Sequence, residues 1–401
     1  MEEWKEYRYT DLATIIGGGT PKTSVPEYWS GEIPWLSVKD FVSVTKYVYD
    51  TEKHISELGL LNSSTKLLEK NDIVISARGT VGAMAMIPDP MCFNQSCFGL
   101  RGNNIVDKNF LYYLTRTKVD ELRKTAHGSV FDTITRETFD NLRCLVPPLQ
   151  TQQKIGNILS SLDSKIELNK RINDNLEQQA QALFKSWFVN FEPFKNGQFV
   201  DSELGKIPKG WKVGYLSEIA DIIMGQSPNG STYNENGEGI IFYQGRAEFG
   251  TRFPSIRLFT TNPTRIAPAN SILISVRAPV GDINITHKEC CIGRGLASAV
   301  NRTNKSAFLL YTLFSLKSDL DRFNAEGTVF GSINRKALET LKILIPTNDI
   351  ISKFEAIVAS MDQQILILHI ESENLKILRD TLLPKLMSGE RSVIHKENND
   401  D

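Results

Sequence analysis

"NDIVISARGTVG" (residues 71–82) recurs 199 residues later as "NSILISVRAPVG" (270–281), with seven of the twelve positions identical. Each copy reads as a short apolar, β-branched strand running into a tight turn that closes on glycine. The same offset carries "GSVFDTITRETFDNLRCLVP" (128–147) onto "GTVFGSINRKALETLKILIP" (327–346). It also carries Lys154, Asp163, Ile166 and Leu176 onto Lys353, Asp362, Ile365 and Leu375. Nearer the N-terminus the offset becomes 207, with "LATIIGGGTP" (12–21) over "IADIIMGQSP" (219–228). One scaffold is therefore written twice. Each copy holds one stretch, 21–71 or 228–270, in which the two share almost nothing.

Each copy has two parts. The first mixes short strand-like runs such as "DIVISA" and "LKILIP" with a few helical ones, punctuated by turn signals such as Gly17-Gly18-Gly19 and Asn229-Gly230. The second is a long helix. Residues 151–188 contain no proline and one glycine, and Ile155, Leu162, Asn169, Leu176 and Leu183 step by seven. Phe354, Met361, Leu368, Leu375 and Leu382 do the same in the second copy. Ile158, Leu159, Ile166 and Ala180, and then Ile357, Val358, Ile365 and Leu378, are expected to fill the same sides. Sustained heptads make amphipathic helices with a narrow apolar seam. Their repetition predicts that they pack on each other, antiparallel. At 1.5 Å per residue, roughly 30 residues make a rod about 45 Å long. Asn169, facing Leu368 in the repeat, either fixes register inside the seam or faces solvent.

The expected fold class is thus α/β (mixed α+β). Two similar globules are separated by two long antiparallel coiled-coil helices in an internal pseudo-twofold repeat. The boundaries read as a first globule over 1–147, a central helix over 148–195, a second globule over 196–346, a C-terminal helix over 347–390 and a polar tail over 391–401.

Bulk properties narrow the function. A chain of 401 residues with 41% hydrophobic and 23% charged residues is globular and multidomain. No apolar run reaches the length of a membrane span, and the charged start "MEEWKEYRYT" is not a secretory signal. The five cysteines, Cys92, Cys97, Cys144, Cys290 and Cys291, read as reduced core residues of a cytosolic protein. Catalytic signatures are missing: no phosphate-cradling loop, no G-x-G-x-x-G between strand and helix, no nucleophile elbow, and no histidines at ligand spacing. No metal site is expected. A net charge of −1 excludes an indiscriminate polyanion binder, so contact with nucleic acid needs local patches.

Candidate contacts follow from residue type and turn context. The repeated arginines Arg78 and Arg277, and Arg136 and Arg335, stand beside small-residue turns, where a planar fork suits phosphate clamping and base-edge reading. Alternatively each satisfies carbonyls or a carboxylate within its own globule. Lys124, His127 and Ser129 in "LRKTAHGS", Thr328 in the second copy's turn, and Tyr243, Gln244, Arg246 and Arg252 in "FYQGRAEFGTRFPSIR" complete the set.

The stretch "VPPLQTQQKIGNILSSLDSKIELNKRINDNLEQQAQALFKSWF" (146–188) resembles the central region of the specificity (S) subunits of type I restriction–modification systems. Pro147-Pro148-Leu149, Gln152 or Gln153, Ile155, Leu159, Asp163 and Ile166 meet that pattern. "DIVISARGTVG", its partner "SILISVRAPVG" and the Gly-x-Val-Phe turns resemble the family's target-recognition domains, and "LGKIPKGW" (204–211) its usual lead-in to the second one. In the second copy "IPTNDIISKF" (345–354) departs from Pro-Pro-Leu and Gln-x-x-Ile. The resemblance implies a non-catalytic subunit whose globules each read one half of a bipartite, asymmetric site on double-stranded DNA. The helices would set the gap and dock two modification subunits that bind S-adenosylmethionine and methylate adenine at N6. Restriction and translocase subunits would bring ATP and Mg, no cofactor would sit on this chain, and the location would be the prokaryotic cytoplasm. A two-globule coiled-coil scaffold that binds proteins is the rival reading.

Overall fold

A computed structural model describes residues 4–41, 46–127, 133–324 and 331–393. Two compact units emerge: residues 1–171 with 369–401, and residues 172–368. Chain order and packing therefore divide the molecule differently. Each unit owns one globule and part of each long helix.

In the first unit, β1 (Ala13–Gly17), β2 (Ile33–Leu36), β3 (His54–Ile55), β4 (Ile73–Ser76), β5 (Met84–Met86), β6 (Cys92–Phe93) and β7 (Cys97–Gly102) form two sheets. The four-stranded sheet runs β1-β7-β4-β5 and the three-stranded one β3-β2-β6, with β2 parallel to β6. Helix α1 (Lys108–His127) and the N-terminal half of α2 (Leu149–Phe184) complete it. In the second unit, β8 (Ala220–Met224), β9 (Tyr233–Asn234), β10 (Ile240–Tyr243), β11 (Leu258–Thr260), β12 (Ile266–Ala267), β13 (Ile272–Ser275), β14 (Ile283–Ile285), β15 (Cys290–Ile292) and β16 (Leu296–Asn301) repeat the plan. Its sheets run β8-β16-β13-β14 and β9-β11-β10-β15-β12, with β10 parallel to β15. Helix α3 (Ser306–Ser315) and α4 (Asn348–Met387) follow.

The repeated strand lies where two cores meet. Ile73 and Ile75 enter the core shared with the helices, while Val74 enters a second core under the three-stranded sheet. Ile272, Ile274 and Leu273 divide in the same way. Successive side chains of a strand point to opposite faces, so a strand buried on both must be apolar throughout. The rest of the motif staples the turn. Ser76 Oγ accepts from Ala83 N at 2.9 Å, and Gly82 N donates to the Ser76 carbonyl at 2.9 Å. Ser275 accepts from Asp282 N at 2.9 Å, and Gly281 N donates to its carbonyl at 2.9 Å. Gly82 and Gly281 hold φ of +83° and +88°, where a side chain is strained.

The helices pair antiparallel within each unit. In the first, Asp163, Lys165 and Asn169 meet Arg379, Glu371 and Ser372. In the second, Phe184 packs on Phe354 and Asn173 donates to the Ile365 carbonyl. The seam uses two interleaved heptad series. Of the predicted one, Ile155, Asn169, Phe354 and Leu368 are buried, whereas Leu162, Leu176, Leu183, Met361, Leu375 and Leu382 are half-buried. The other series, Gln152, Leu159, Ile166 and Ala180, and Ile351, Val358, Ile365 and Arg379, is buried except at its half-buried steps Asn173 and Ser372. Ile158 and Ile357, expected on the seam, lie about 40% exposed instead. Asn169 is fully buried, its amide donating to Glu371 at 2.7 Å, so it belongs to the seam and not to solvent.

Inside the first unit's helix pair lies Asp163, wholly buried. Its carboxylate accepts from Arg379 Nη1 at 2.5 Å and from the Tyr113 hydroxyl at 2.5 Å. Burial and the neighbouring carboxylate push the Tyr113 hydroxyl's pKa far up, so it stays a donor. Removing one partner of a buried pair strands the other charge. Arg379→Met is therefore expected to destabilise the protein by about 3–5 kcal/mol in a urea melt. A loss below about 1 kcal/mol would mean that the pair does not hold the helices.

Candidate nucleic-acid interface

In the second unit, β8, β10, β13 and β15 finish at one edge, and their loops are fastened together by main-chain bonds. Gln226 N donates to the Ile292 carbonyl, Gly293 N to Tyr243, Val276 N to Gly295 and Ile333 N to Val276, at 2.8–3.0 Å. Ile292 N donates to Arg265 at 2.9 Å, and Arg294 N to Ser227 Oγ at 3.2 Å. A Cβ on Gly293 would stand 2.6 Å from the Gln244 carbonyl oxygen, so only glycine lets the 293–295 turn seat there. The result is a rigid edge presenting Gln226, Gln244, Arg265, Arg277 and Arg294 to solvent.

The first unit builds the same edge. Ala77 N donates to the Ser96 carbonyl at 2.8 Å, Asn94 N to Leu36 at 2.9 Å, Ile134 N to Ala77 at 3.1 Å and Leu68 N to Met91 at 2.9 Å. Lys66, Arg78 and Gln95 are exposed on it, and Gln95 Oε1 accepts from the Thr20 hydroxyl. By register, Lys66 stands where Arg265 does, Arg78 where Arg277 does, and Gln95 where Arg294 does.

Among the arginines of the second globule, ion pairing distinguishes this edge. Six of the nine arginines between residues 216 and 346 hold carboxylates: Arg246, Arg252, Arg257, Arg302, Arg322 and Arg335. Arg265, Arg277 and Arg294 have no ion-pair partner among the described residues, and all three lie on the loop edge. A guanidinium left without a carboxylate is an open donor fork for an anion or a base edge.

The candidates from sequence are distributed accordingly. Arg78, Arg277 and Gln244 lie on the edge. Arg136 and Arg335 are exposed at the first residues of the short helices Arg136–Asn141 and Arg335–Glu339, and Arg335 pairs with Glu339 at 2.7 Å. Lys124 is exposed on α1, and Arg246 pairs with Asp282. The His127 side chain, Ser129 and Thr328 lie outside the described residues. Two candidates are corrected. Tyr243 is a core residue of β10, 1% exposed, because that strand buries both faces. Arg252 is 8% exposed and points inward, donating to Glu177, to Asp362 at 2.6 Å and to the Tyr311 hydroxyl at 3.2 Å.

Arg252 has a counterpart inside the stretches that share almost nothing. Ile285 N donates to the Arg252 carbonyl at 2.9 Å, and Met86 N donates to the Lys46 carbonyl at 2.7 Å. Met86 and Ile285 are 199 apart, so Lys46 and Arg252 hold one structural position. Lys46 is 1% exposed, with Nζ donating to Asn109 Oδ1 at 2.9 Å and Ser160 Oγ at 2.7 Å, and the Tyr112 and Tyr113 rings within 5.2 Å. Each variable stretch is thus pinned to its unit's helices by one buried cation. Sequence reasoning named Arg252 for a surface contact and missed its counterpart Lys46, and it missed Lys66, Gln95, Arg265 and Arg294. A residue-by-residue reading of the 199 offset through the turns was the signal for those four.

No group of three or more metal-ligating side chains occurs among the described residues, and no helix among them is long and apolar enough to cross a membrane. The family model of the type I restriction modification DNA specificity domain matches residues 1–178 and 208–376. The chain is 29% identical to the type I restriction enzyme MjaIX specificity subunit of Methanocaldococcus jannaschii, over 98% of this chain and 94% of that one. It is 34% identical to the putative MjaX specificity subunit of the same organism, over 80% and 77%. Among solved structures, the type I restriction–modification S subunit of M. genitalium superposes with a TM-score of 0.61 at 18% identity, covering 96% of both chains, and shares the fold.

Burial lowers the Lys46 ammonium from its ordinary 10.5 to about 8, against the opposing pull of Asp163 and Asp107. Between those values the unfolded chain binds more protons than the folded one, so this lysine's contribution to stability rises with pH across the window. The stability of the wild type minus that of Lys46→Met is expected to rise by about 3 kcal/mol from pH 8 to 10.5 and to stay flat below 8. A difference independent of pH in denaturant melts would contradict it.

Proposed function

Because the chain belongs to the type I restriction modification DNA specificity family, we propose that it is the DNA-specificity subunit of a type I restriction–modification complex, supplying the address and none of the chemistry. Each unit reads one half of a bipartite, asymmetric site on double-stranded DNA. The observation that carries the reading is the pair of rigid loop edges, alike in frame and unlike in their exposed side chains, each offering donors without carboxylate partners. Phosphate contacts supply affinity, and side chains on base edges supply specificity.

The chain passes between units twice, at residues 171–172 and 368–369, both times inside a long helix. Helix length is therefore the covalent spacer between the two readers and sets the gap. The helices also serve as the dock for two adenine-N6 methyltransferase subunits, which bring S-adenosylmethionine. Apolar side chains left 40–49% exposed on them recur at the 199 offset, Ile158 with Ile357 and Leu168 with Ile367, as two equivalent partners require. Restriction and translocase subunits, with ATP and Mg, complete the assembly in the prokaryotic cytoplasm.

Long-read sequencing of cells expressing the chain with its methyltransferase is expected to reveal N6-methyladenine on a split motif, two short halves around a fixed gap, absent without the chain. An active methyltransferase complex that leaves no such mark would refute the reading. Adding one heptad to each long helix preserves the seam and adds about 10 Å. The gap is then expected to lengthen by up to about three base pairs, at roughly 3.4 Å each, with both half-motifs unchanged. An unchanged gap would reject the spacer role.

A further inference from the structure

At equivalent positions of two readers, a side chain common to both serves what their targets share, and a side chain that differs serves what distinguishes them. The targets share a phosphate backbone and differ in bases. The three edge positions matched between the two units sort themselves by this rule. Arg78 and Arg277 are identical, projecting from turns stapled by Ser76 and Ser275. Lys66 and Arg265 are both cations. Gln95 and Arg294 differ in chemistry, and both lie at the middle of the turn joining a strand of one sheet to a strand of the other.

We infer that this turn carries a base-reading side chain in each unit, Arg294 reading guanine in one half-site and Gln95 reading adenine in the other. Lys66, Arg78, Arg265 and Arg277 clamp phosphates. The inference rests on the reading of the chain as a DNA-specificity subunit.

The chemistry of each pairing follows from its donors and acceptors. A guanidinium offers two parallel N–H groups to guanine O6 and N7 in the major groove. Arg294 has that fork free, since no ion pair holds it among the described residues, while its main chain is fixed by Ser227 and by the close seat of Gly293 on Gln244. A glutamine amide matches adenine, donating to N7 and accepting from N6. Gln95 has its orientation set by Thr20, whose hydroxyl donates to Oε1. One lone pair of Oε1 and both N–H groups remain for the base. Both backbones are pinned by main-chain bonds, so little conformational freedom is lost when a base is read.

The test uses the full complex with its methyltransferase, motif by long-read N6-methyladenine sequencing, and methylation rate on duplexes carrying each single-base change. Arg294→Gln is expected to relax or switch one guanine position of one half-motif, with the cognate rate falling roughly 10- to 100-fold and the other half unchanged. Arg294→Lys keeps the charge but loses the fork, and is expected to relax the same position. Gln95→Arg should act on one adenine position in the opposite half. Arg78→Ala and Arg277→Ala are expected to slow methylation of all sequences alike, keep the motif, and lower the slope of log affinity against log salt by about one. If all three substitutions at 294 and 95 leave both half-motifs intact in complexes that assemble normally, the base-reading assignment is overturned. If the unaltered complex marks no split motif, the assignment falls together with the reading beneath it.

Discussion

A carboxylate set between helices and globule requires a cation partner in each unit. Asp163 and Asp362 occupy the same place in the repeat, and each also accepts a tyrosine hydroxyl, Tyr113 at 2.5 Å and Tyr311 at 2.9 Å. Burial raises the pKa of Asp362 even beside Arg252, so the charge is unfavourable there. An ion in such a place is tolerated only with a well-formed partner. The copies find that partner differently. Asp163 takes Arg379 from the opposite helix. The residue 199 before Arg379 is Ala180, which cannot answer Asp362, so the cation comes from the variable stretch as Arg252. The same need locks the helix register in one unit and a loop of the variable stretch in the other.

That difference explains why the variable stretches are not free loops. Lys46 and Arg252 stand at one structural position and both reach the helix layer, so a segment whose sequence is otherwise unconstrained by the repeat still enters and leaves the sheets at fixed points. Edge side chains can then differ without disturbing the frame, because the frame is closed beneath them. The loop edges depend on this rigidity. A donor fork discriminates among bases only when its backbone does not follow the base.

How much of this was legible in the sequence follows from the physics of each part. The buried strand was, because a strand with cores on both faces must be continuously apolar, as Ile73–Ser76 and Ile272–Ser275 are. So was the stapled turn, since its serine and positive-φ glycine admit few substitutes. The helices were legible by period, although the predicted heptad series proved the shallower of two. Asn169 was left open because one polar residue in a heptad reads equally as seam or surface. Arg252 and Tyr243 were placed on the surface because residue type alone does not reveal a buried partner, and Glu177, Tyr311 and Asp362 are distant in sequence. The equivalence of Lys46 and Arg252 was hidden for a different reason. The offset slides from 207 to 206 to 199 within a stretch lacking shared residues, and only strand pairing to Met86 and Ile285 fixes it. Lys66, Gln95, Arg265 and Arg294 sit at exposed turns, where no periodicity singles out a position.

The buried charges also show what the physical unit is. Asp163, Tyr113, Lys46 and Arg379 all belong to the first unit, although Arg379 lies more than 200 residues further along the chain than the others. Arg252, Glu177, Tyr311 and Asp362 all belong to the second. Trp4 packs within 3.4 Å of where a side chain on Gly389 would begin, so both ends of the described chain close on the first unit. Each unit therefore carries the partners of its own buried charges named here and its own share of both helices. A change on one edge leaves the buried pairs of the other unit intact, and an asymmetric address can be written one half at a time.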